Sequence, residues 1–184
     1  MNIEYSEDPL AQLREWLETD VVALATATAD GAPSVRMVLL KAADERGLVF
    51  FTGYESRKGR ELAENPRAAI LVHLPGRQIR VEGHVERVSA EESGAYWATR
   101  PRGSKIAASV SRQSEPIASR AMLERLFADF DREHPGEIPR PSHWGGYRLV
   151  PEVYEFWEHR EDRLHDRVRY RRDGETWTVE RLQP

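Results

Sequence analysis

The stretch Val153–Arg167 reads VYEFWEHREDRLHDR and divides into two unlike halves. Its first half, Val153–Trp157, alternates in the manner of a strand with an aromatic face. The second half brings two arginines and a histidine close together. On an extended backbone, Arg163, His165 and Arg167 would lie on one side of the strand. Two guanidinium groups and an imidazole suit a planar anionic ligand, whereas the alternative interpretation is a solvated, arginine-rich strand edge.

The composition of the chain excludes several classes of protein. The 184 residues contain no cysteine, which excludes cysteine-ligated zinc, iron–sulfur clusters and thiol nucleophiles. No metal site is predicted. The net charge of −4 argues against nucleic acid as a partner. The acidic N-terminus does not resemble a signal peptide, and no apolar run approaches the ~18 residues of a membrane span. We therefore expect a cytoplasmic protein without a membrane partner.

Hydrophobic periodicity and turn signals predict many short strands with helices between and after them. Strands are expected at 21–29, 34–41, 48–52, 68–73, 78–88, 146–150, 153–157, 168–172 and 176–182. Helices are expected at 9–18, 57–65, 89–99, 104–111 and 117–132. The pattern indicates an α+β fold built on an antiparallel barrel. We expect a single domain, residues 1–184, in which residues 1–8 form a flexible N-terminal arm.

A charged residue stands at each end of one apolar strand segment, Arg36-Met37-Val38-Leu39-Leu40-Lys41. Because positions 36 and 41 are five residues apart, their side chains would face opposite sides of a regular strand. One strand could therefore serve two neighbouring anions. The alternative is that the two charges mark where the barrel meets water.

The start of the second predicted helix is the best candidate for a phosphate site. Ser56 is a favourable N-cap, and the free N–H groups and positive dipole end of a helix N-terminus attract anions. Arg57 and Lys58 oppose that dipole unless an anion compensates their charge, and this local conflict indicates function. Phe51 and Thr52 end the strand just before. The alternative is a solvated, basic first turn.

A third candidate consists of Tyr96, Arg100 and Ser104, which are spaced by four residues. Tyr96 and Arg100 would share one face of a helix. A cation at a helix C-terminus is favourable without any ligand, so a purely structural role is the alternative.

The order and spacing of these motifs resemble the pyridoxine/pyridoxamine 5′-phosphate oxidases from about Asp8 to Pro184. The most specific part is Glu155-Phe156-Trp157 followed by Arg163-Leu164-His165-Asp166-Arg167. The family consists of FMN-dependent flavoenzymes that make pyridoxal 5′-phosphate. The resemblance therefore implies an antiparallel split β-barrel with flanking helices, FMN as the cofactor, and a homodimer with FMN sites at the subunit interface.

The resemblance also implies a role for each motif. The implied FMN-binding residues are Arg36, Met37, Val38, Leu39, Leu40, Lys41, Phe51, Thr52, Ser56, Arg57, Lys58, Gln78, Gln113, Ser114, Trp157 and Arg167. The last four would act across the two-fold interface. The implied substrate-binding residues are Lys41, Tyr96, Arg100 and Ser104 at the phosphate, and Arg163 and His165 at the pyridine ring. Arg163 and His165 are also the implied catalytic residues.

The implied activity is the oxidation of pyridoxamine 5′-phosphate and pyridoxine 5′-phosphate to pyridoxal 5′-phosphate. Oxygen would be the electron acceptor, giving hydrogen peroxide, and the substrate proton could leave to water or to His165. Two alternatives stay open. One is a flavin oxidase of secondary metabolism, of the phenazine-biosynthesis type, whose substrate lacks a phosphate. The other is a non-catalytic protein that binds flavin or pyridoxal phosphate, which only turnover would distinguish.

Overall fold

The protein, described here by a computed structural model covering residues 5–184, contains eight strands and five α-helices in those residues. The strands are β1 (Val21–Ala27), β2 (Pro33–Asp44), β3 (Gly47–Gly53), β4 (Arg67–Leu74), β5 (Arg77–Arg87), β6 (Trp144–Glu158), β7 (Asp166–Asp173) and β8 (Thr176–Arg181). The helices are α1 (Pro9–Trp16), α2 (Arg57–Glu64), α3 (Ala90–Thr99), α4 (Arg102–Val110) and α5 (Arg120–Glu133).

Six of the strands form a closed antiparallel barrel. The order around the ring is β3-β2-β1-β4-β5-β6, and the pairing of β6 with β3 closes it. Strands β7 and β8 continue the sheet outward from β6. Apolar side chains such as Leu24, Ile79 and Leu149 alternate into the barrel interior, where they are fully buried. The fold confirms the expected α+β antiparallel split barrel with flanking helices.

The helices cover the outside and one end of the barrel. Helix α1 buries Leu13 and Trp16 in the main core, with Asp8 as its N-cap. Helices α3 and α4 build a second, smaller apolar cluster that contains Trp97 and Trp144. In residues 5–184, no helix combines the length and the apolar character needed to cross a membrane.

Strand β6 runs unbroken for 15 residues, so the prediction of two separate strands at 146–150 and 153–157 is wrong. Pro151 lies between the two predicted strands, and proline cannot donate a ladder hydrogen bond. In the structure β6 changes its second neighbour around this residue, from β3 up to Leu149 to β7 from Val153 onward. Pro151 therefore lies where no such donor is required. Gly83 of β5 lies opposite, and a Cβ there would come within 2.0 Å of the Val150 carbonyl oxygen.

From Tyr5 onward the predicted N-terminal arm contacts the rest of the chain, and the flexibility expected for residues 1–8 stays a prediction. The Tyr5 ring packs on Trp16 with 6.2 Å between ring centroids. The backbone of Ser6 donates to Gln12 Oε1 at 2.9 Å, and its carbonyl oxygen accepts from Tyr170 Oη at 2.6 Å. An aromatic ring and two hydrogen bonds fix residues 5 and 6 against the barrel. Residues 1–4 of the predicted arm lie outside the described residues.

Candidate active site

The N-terminus of α2 forms a polar recess directly after β3. Ser56 caps the helix by accepting a hydrogen bond from the Gly59 N–H at 3.3 Å. Lys58 folds back toward the strand, where its Nζ lies 3.2 Å from Thr52 Oγ1 and 3.4 Å from Ser56 Oγ. Arg57 stays at the surface. We call Thr52, Ser56, Arg57 and Lys58 the anion pocket.

Lys58 is a buried cation without a carboxylate partner among residues 5–184. Its side chain contacts two hydroxyl groups and is only 6% exposed. Burial first, and the neighbouring charge of Arg36 second, lower the pKa of Lys58 to about 8. An ammonium in this environment is stabilised by a bound anion, because water no longer solvates it.

Glu61 pairs with the two arginines of this region, which leaves a net positive charge. Its carboxylate accepts from Arg57 Nε at 2.8 Å and from Arg36 Nη2 at 3.2 Å. Hydroxyl groups of Thr26 and Ser34 donate to the same carboxylate. Burial alone would raise the pKa of Glu61, but these four donors together lower it to about 2. The sequence analysis missed Glu61, although its spacing of four residues from Arg57 on a helix is a recognisable signal of pairing.

A cavity of about 850 Å³ lies beside the anion pocket, between β3 and α4. Thr52 and Ser56 line one side of it, and Arg100 and Ser104 line another. The Arg100 guanidinium lies 4.5 Å from the ring centroid of Trp144, and its Nη2 donates to the Ser104 carbonyl oxygen at 2.9 Å. Its buried Nε–H has no partner in residues 5–184, and burial lowers the pKa of Arg100. Arg100 is thus a second, half-buried cation suited to an anion.

Tyr96 belongs to the wall that supports this cavity. Its ring stacks on Phe51 with 4.0 Å between centroids, and Phe51 stacks in turn on Trp144 at 5.6 Å. The structure therefore places the predicted residues Phe51, Tyr96, Arg100 and Ser104 in one region of one chain. Trp144, which the sequence analysis did not select, is the platform that they share.

Gln113 lies against the anion pocket of its own chain. Its Oε1 accepts from Thr52 Oγ1 at 2.9 Å and from the Gly53 N–H at 3.1 Å. This position differs from the expectation that Gln113 acts across a subunit interface. Ser114, next in the chain, is exposed and has a left-handed backbone with φ of 75°.

The apolar residues between Arg36 and Lys41 alternate along β2. Val38 and Leu40 turn toward the core, whereas Met37 is 60% exposed and Leu39 is 48% exposed. A ligand on the exposed face of β2 would therefore contact the side chains of Met37 and Leu39. Of Val38 and Leu40 it could contact only the backbone.

Lys41 lies away from the cavity that contains Arg100. Its Nζ pairs with Asp20 at 2.9 Å, in a separate groove of about 450 Å³ that runs along the end of α1. A single chain does not bring Lys41 to Tyr96 or Ser104, so the predicted phosphate set of four residues is not assembled within one subunit.

Three predicted flavin-side residues lie side by side at the other end of β6. Gln78 of β5 pairs with Trp157 of β6, which pairs with Arg167 of β7. Directly paired residues share one face of an antiparallel sheet, so these side chains form a row. Arg167 is held by Glu155, whose Oε1 accepts from Arg167 Nε at 2.8 Å. With His165, they form what we call the Trp157 cluster.

The interpretation of residues 163–167 as one extended stretch is wrong. Strand β6 ends at Glu158, which pairs directly with Asp166 at the start of β7. The chain must reverse between these two residues, and it does so through a 3₁₀ turn, Glu161–Arg163. Asp162 and Arg163 both have left-handed backbones, with φ of 54° and 60°. The aromatic and arginine pattern was visible in the sequence, but this reversal was not.

The turn separates the two predicted catalytic residues from each other. His165 lies in the Trp157 cluster, with 4.7 Å between the His165 and Trp157 ring centroids. Arg163 is exposed at the tip of the loop. Arg163 and His165 are therefore not aligned on one strand face with Arg167.

Strand β6 separates the cavity from the Trp157 cluster. Trp144 stands at its first position and Trp157 thirteen residues later. At about 3.3 Å per residue this corresponds to roughly 40 Å of strand. One small ligand cannot contact both ends of β6 in the same chain.

The fold and these sites define a split-barrel protein with buried cationic sites for anions. The sequence model described as pyridoxamine 5′-phosphate oxidase matches residues 10–131. The model described as the pyridoxine 5′-phosphate oxidase C-terminal dimerisation region matches residues 144–184. The chain belongs to the pyridoxamine 5′-phosphate oxidase family, which confirms the resemblance seen in the sequence and the expected class of enzyme.

Similar proteins agree with this assignment. The chain is 52% identical to the pyridoxine/pyridoxamine 5′-phosphate oxidase of Rubrobacter xylanophilus, over 96% of this chain and 87% of that protein. It is 49% identical to the enzyme of the same name from Thermosynechococcus vestitus, over 97% and 90%. Among solved structures, PhzG from Burkholderia lata 383, in complex with tetrahydrophenazine-1-carboxylic acid, has a TM-score of 0.92 and 36% identity, over 97% and 94%.

Proposed function

We propose that this protein is an FMN-dependent oxidase of pyridoxamine 5′-phosphate and pyridoxine 5′-phosphate. The observation that carries the proposal is the presence of two desolvated cations beside one cavity, the buried Lys58 and the half-buried Arg100, neither of which pairs with a carboxylate in residues 5–184. Two such cations suit two phosphates, that of the cofactor and that of the substrate. The names of the relatives from Rubrobacter and Thermosynechococcus support the same reading.

The anion pocket fits the phosphate of FMN. Lys58 supplies a desolvated charge, and the free N–H groups of the first turn of α2 supply hydrogen bonds. Arg57 and Arg36 are held in place by Glu61 and add positive charge at the rim. Bound FMN would accept a hydride from the substrate C4′ carbon and pass the electrons to oxygen, giving hydrogen peroxide.

The cavity fits the phosphate of the substrate. Arg100 offers an Nε–H that has no partner in residues 5–184, and it lies between Tyr96, near the end of α3, and Ser104, near the start of α4. Arg163 and His165 would meet the pyridine ring. With Arg163 and His165 supplied by the partner subunit, the substrate would be oriented by its two ends, which can contribute several orders of magnitude to a rate.

The separation along β6 supports a homodimer as the active form. The cavity of one chain and the Trp157 cluster of the same chain are too far apart to serve one substrate. A two-fold partner, with each chain as one FMN-binding domain, would bring its own Trp157 cluster and Lys41 to the cavity. The exposed apolar side chains of Val35, Met37 and Leu39 on β2 offer a surface for such an interface.

A phenazine-type oxidase is the second candidate, because of the likeness to PhzG at 36% identity. Its named ligand, tetrahydrophenazine-1-carboxylic acid, carries no phosphate. Its carboxylate could pair with Arg100 instead, so Arg100 would accept either ligand, and the names of the relatives at 49–52% identity favour the phosphorylated vitamers as substrates. A protein that stores flavin or pyridoxal phosphate would use the same pockets without turnover.

The test is anaerobic reduction of the bound flavin, followed near 450 nm where oxidised flavins absorb. The purified holoenzyme is mixed with pyridoxamine 5′-phosphate, pyridoxine 5′-phosphate or a reduced phenazine carboxylate. We expect bleaching with the phosphorylated vitamers and recovery of colour when oxygen is admitted. Bleaching with the phenazine alone would support the second candidate, and no bleaching with any of them would support a binding protein.

Two variants test the placement of the substrate. Arg163→Lys should lower kcat/KM by about 10²-fold with flavin content unchanged, because an ammonium cannot lie flat over a ring as a guanidinium does. Arg100→Ala should act mainly on KM, because a phosphate anchor binds the ground state and the transition state nearly alike. Normal turnover by Arg163→Lys would refute the placement of the ring beside Arg163.

A further inference from the structure

The loop between β6 and β7 is held in a conformation that its own residues do not favour. Asp162 and Arg163 are consecutive non-glycine residues with positive φ. A left-handed backbone is unfavourable for each residue of this kind, so surrounding contacts must hold the loop in place. The 3₁₀ hydrogen bond from the Leu164 N–H to the Glu161 carbonyl oxygen, at 3.1 Å, is one such contact.

The side chain of Arg160 makes two further contacts that hold this loop. Its Nε donates to Asp166 Oδ2 at 2.7 Å, and its Nη2 donates to Glu158 Oε2 at 2.8 Å. Glu158 and Asp166 are the paired residues at which β6 ends and β7 begins. One guanidinium therefore ties together both ends of the loop.

The two carboxylates are held from outside the loop as well. Arg77 of β5 pairs with Glu158 at 2.8 Å, and Arg181 of β8 pairs with Asp166 at 2.6 Å. Arg160 thus lies at the centre of a charged row that crosses four neighbouring strands. Because other arginines hold both carboxylates in place, the Arg160 guanidinium has one preferred position rather than several.

The backbone of Arg160 determines the protonation pattern of His165. The Arg160 N–H donates to His165 Nδ1 at 3.2 Å. A nitrogen that accepts a hydrogen bond carries no proton, so the neutral ring must carry its proton on Nε2. In this tautomer Nε2 is a hydrogen-bond donor and cannot take a proton from the substrate.

We propose that Arg160 is a positioning residue that holds the loop closed and fixes His165 as the Nε2–H tautomer. His165 then donates a hydrogen bond to an acceptor atom on the edge of the substrate ring, of which the phenolate oxygen is the anionic one. The proton released by the amine or alcohol leaves to water rather than to His165. This last step rests on the proposed function, whereas the tautomer and the role of Arg160 do not.

The direct test is the ¹⁵N NMR spectrum of the histidine side chains in the apoprotein, at pH values above neutrality where imidazole is ordinarily neutral. The His165 signals are assigned by their loss in His165→Gln. We expect Nδ1 of His165 to be the unprotonated nitrogen and Nε2 the protonated one. A proton on Nδ1 in the wild type would overturn the proposal, whatever the enzyme's activity.

The second test compares Arg160→Ala and Arg160→Lys with Arg125→Ala, a control at an exposed arginine of α5. Arg160→Ala should mix the two tautomers of His165 and lower kcat/KM at least tenfold, with bound FMN unchanged. Arg160→Lys should recover part of the loss, because an ammonium can still pair with one carboxylate. Arg125→Ala should match the wild type.

The outcomes separate the inference from the proposed function. If Arg160→Ala fails to fold, Arg160→Lys still tests the positioning role of Arg160, and the wild-type spectrum still tests the tautomer of His165. Unchanged tautomer and turnover in both Arg160 variants would refute the positioning role. A wild type that turns over neither vitamer would refute the proposed function while leaving the tautomer measurable.

Discussion

Lys58 carries a buried ammonium that forms no ion pair in residues 5–184, and the charge of Glu61 offsets only part of the fall in its pKa. Its pKa is lowered to about 8, chiefly by burial, so it loses its proton in the free protein as the pH rises past that value. A bound phosphate should raise this pKa again, because it stabilises the charged form. The affinity for FMN should therefore fall above pH ~8, by up to about tenfold per pH unit.

The measurement is an FMN titration of the apoprotein by flavin fluorescence between pH ~7 and ~9.5. Lys58→Met should bind FMN more weakly by about 1.5–3 kcal/mol at pH ~7 and should lose most of the pH dependence. Riboflavin, which lacks the phosphate, is the matched control and should bind weakly at every pH. Equal affinities for FMN and riboflavin in the wild type would contradict the phosphate assignment.

Glu61 should stabilise the apoprotein in a pH-dependent manner. Its side chain is 4% exposed, and its pKa in the folded state, about 2, is below the ordinary value of 4.5. A carboxylate with a depressed pKa contributes stability above its unfolded-state pKa, and that contribution is lost as the pH falls from about 4.5 toward about 2. The shift corresponds to on the order of 3 kcal/mol.

Urea unfolding of the wild type and of Glu61→Gln tests this. Near neutral pH the variant should be less stable by about 2–4 kcal/mol, because Arg36 and Arg57 lose their charged partner. The difference between the two proteins should shrink as the pH approaches 3. A difference that is the same at both pH values would show that Glu61 acts through packing alone.

At the scale of elements, the position of α2 depends on a close approach to the loop before it. A Cβ at Gly59 would lie 2.1 Å from the Tyr54 carbonyl oxygen, which is backbone and cannot move aside easily. Gly59→Ala should therefore destabilise the protein by about 1–3 kcal/mol and weaken FMN binding, because α2 carries Lys58.

Gly94 of α3 provides the matched control for that substitution. A Cβ there would have no heavy atom within 4 Å. Gly94→Ala should stabilise the protein by about 0.5–1 kcal/mol, since alanine is the better helix former. Thermal unfolding of both apoprotein variants is the measurement. If Gly59→Ala proved as stable as the wild type, the close packing of α2 against Tyr54 would be refuted.

The elements also show what a sequence can and cannot predict. Local signals predicted α2, its Ser56 cap and the anion pocket, because caps and turns depend on neighbouring residues. The continuity of β6 through Pro151 was not predictable, because it depends on a change of partner strand that no local pattern records. The turn at Asp162 was missed for a similar reason, since the pairing of Glu158 with Asp166 forces it.

The same distinction between local signals and contacts with distant strands applies to individual residues. Arg57 and Lys58 were selected from their position at a helix N-terminus, and Arg100 from its spacing with Tyr96 and Ser104. Glu61 and Trp144 were missed because their importance comes from burial and from contacts with distant strands. A pattern in the chain identifies candidate ligands of an anion more readily than the groups that support them.

At the scale of the whole molecule, the proposed dimer makes a prediction about mixed subunits. If the cavity of one chain works with the Trp157 cluster of the other, Arg100→Ala and His165→Ala impair different halves of each site. A dimer with one subunit of each kind would then contain one intact site and one doubly impaired site.

Co-expression with two affinity tags would isolate such mixed dimers. Equal mixing yields half mixed dimers, so about a quarter of the wild-type activity should return in the unfractionated mixture. Each variant purified alone should retain little activity when the substrate concentration is kept well below the KM of Arg100→Ala. No recovery in the purified mixed dimer would place both residues in the site of a single chain.

The closure of the barrel by β6 has a consequence for how the chain folds. Leu48 of β3 pairs with Leu149 of β6, across about a hundred residues of sequence. Contacts between residues so far apart in the sequence form slowly, because a long loop must be closed first. During synthesis, β1 to β5 therefore emerge as local hairpins with the edges of β3 and β5 unpaired until β6 leaves the ribosome. That interval is when nascent chains are most prone to aggregate, and chaperones would be most needed then.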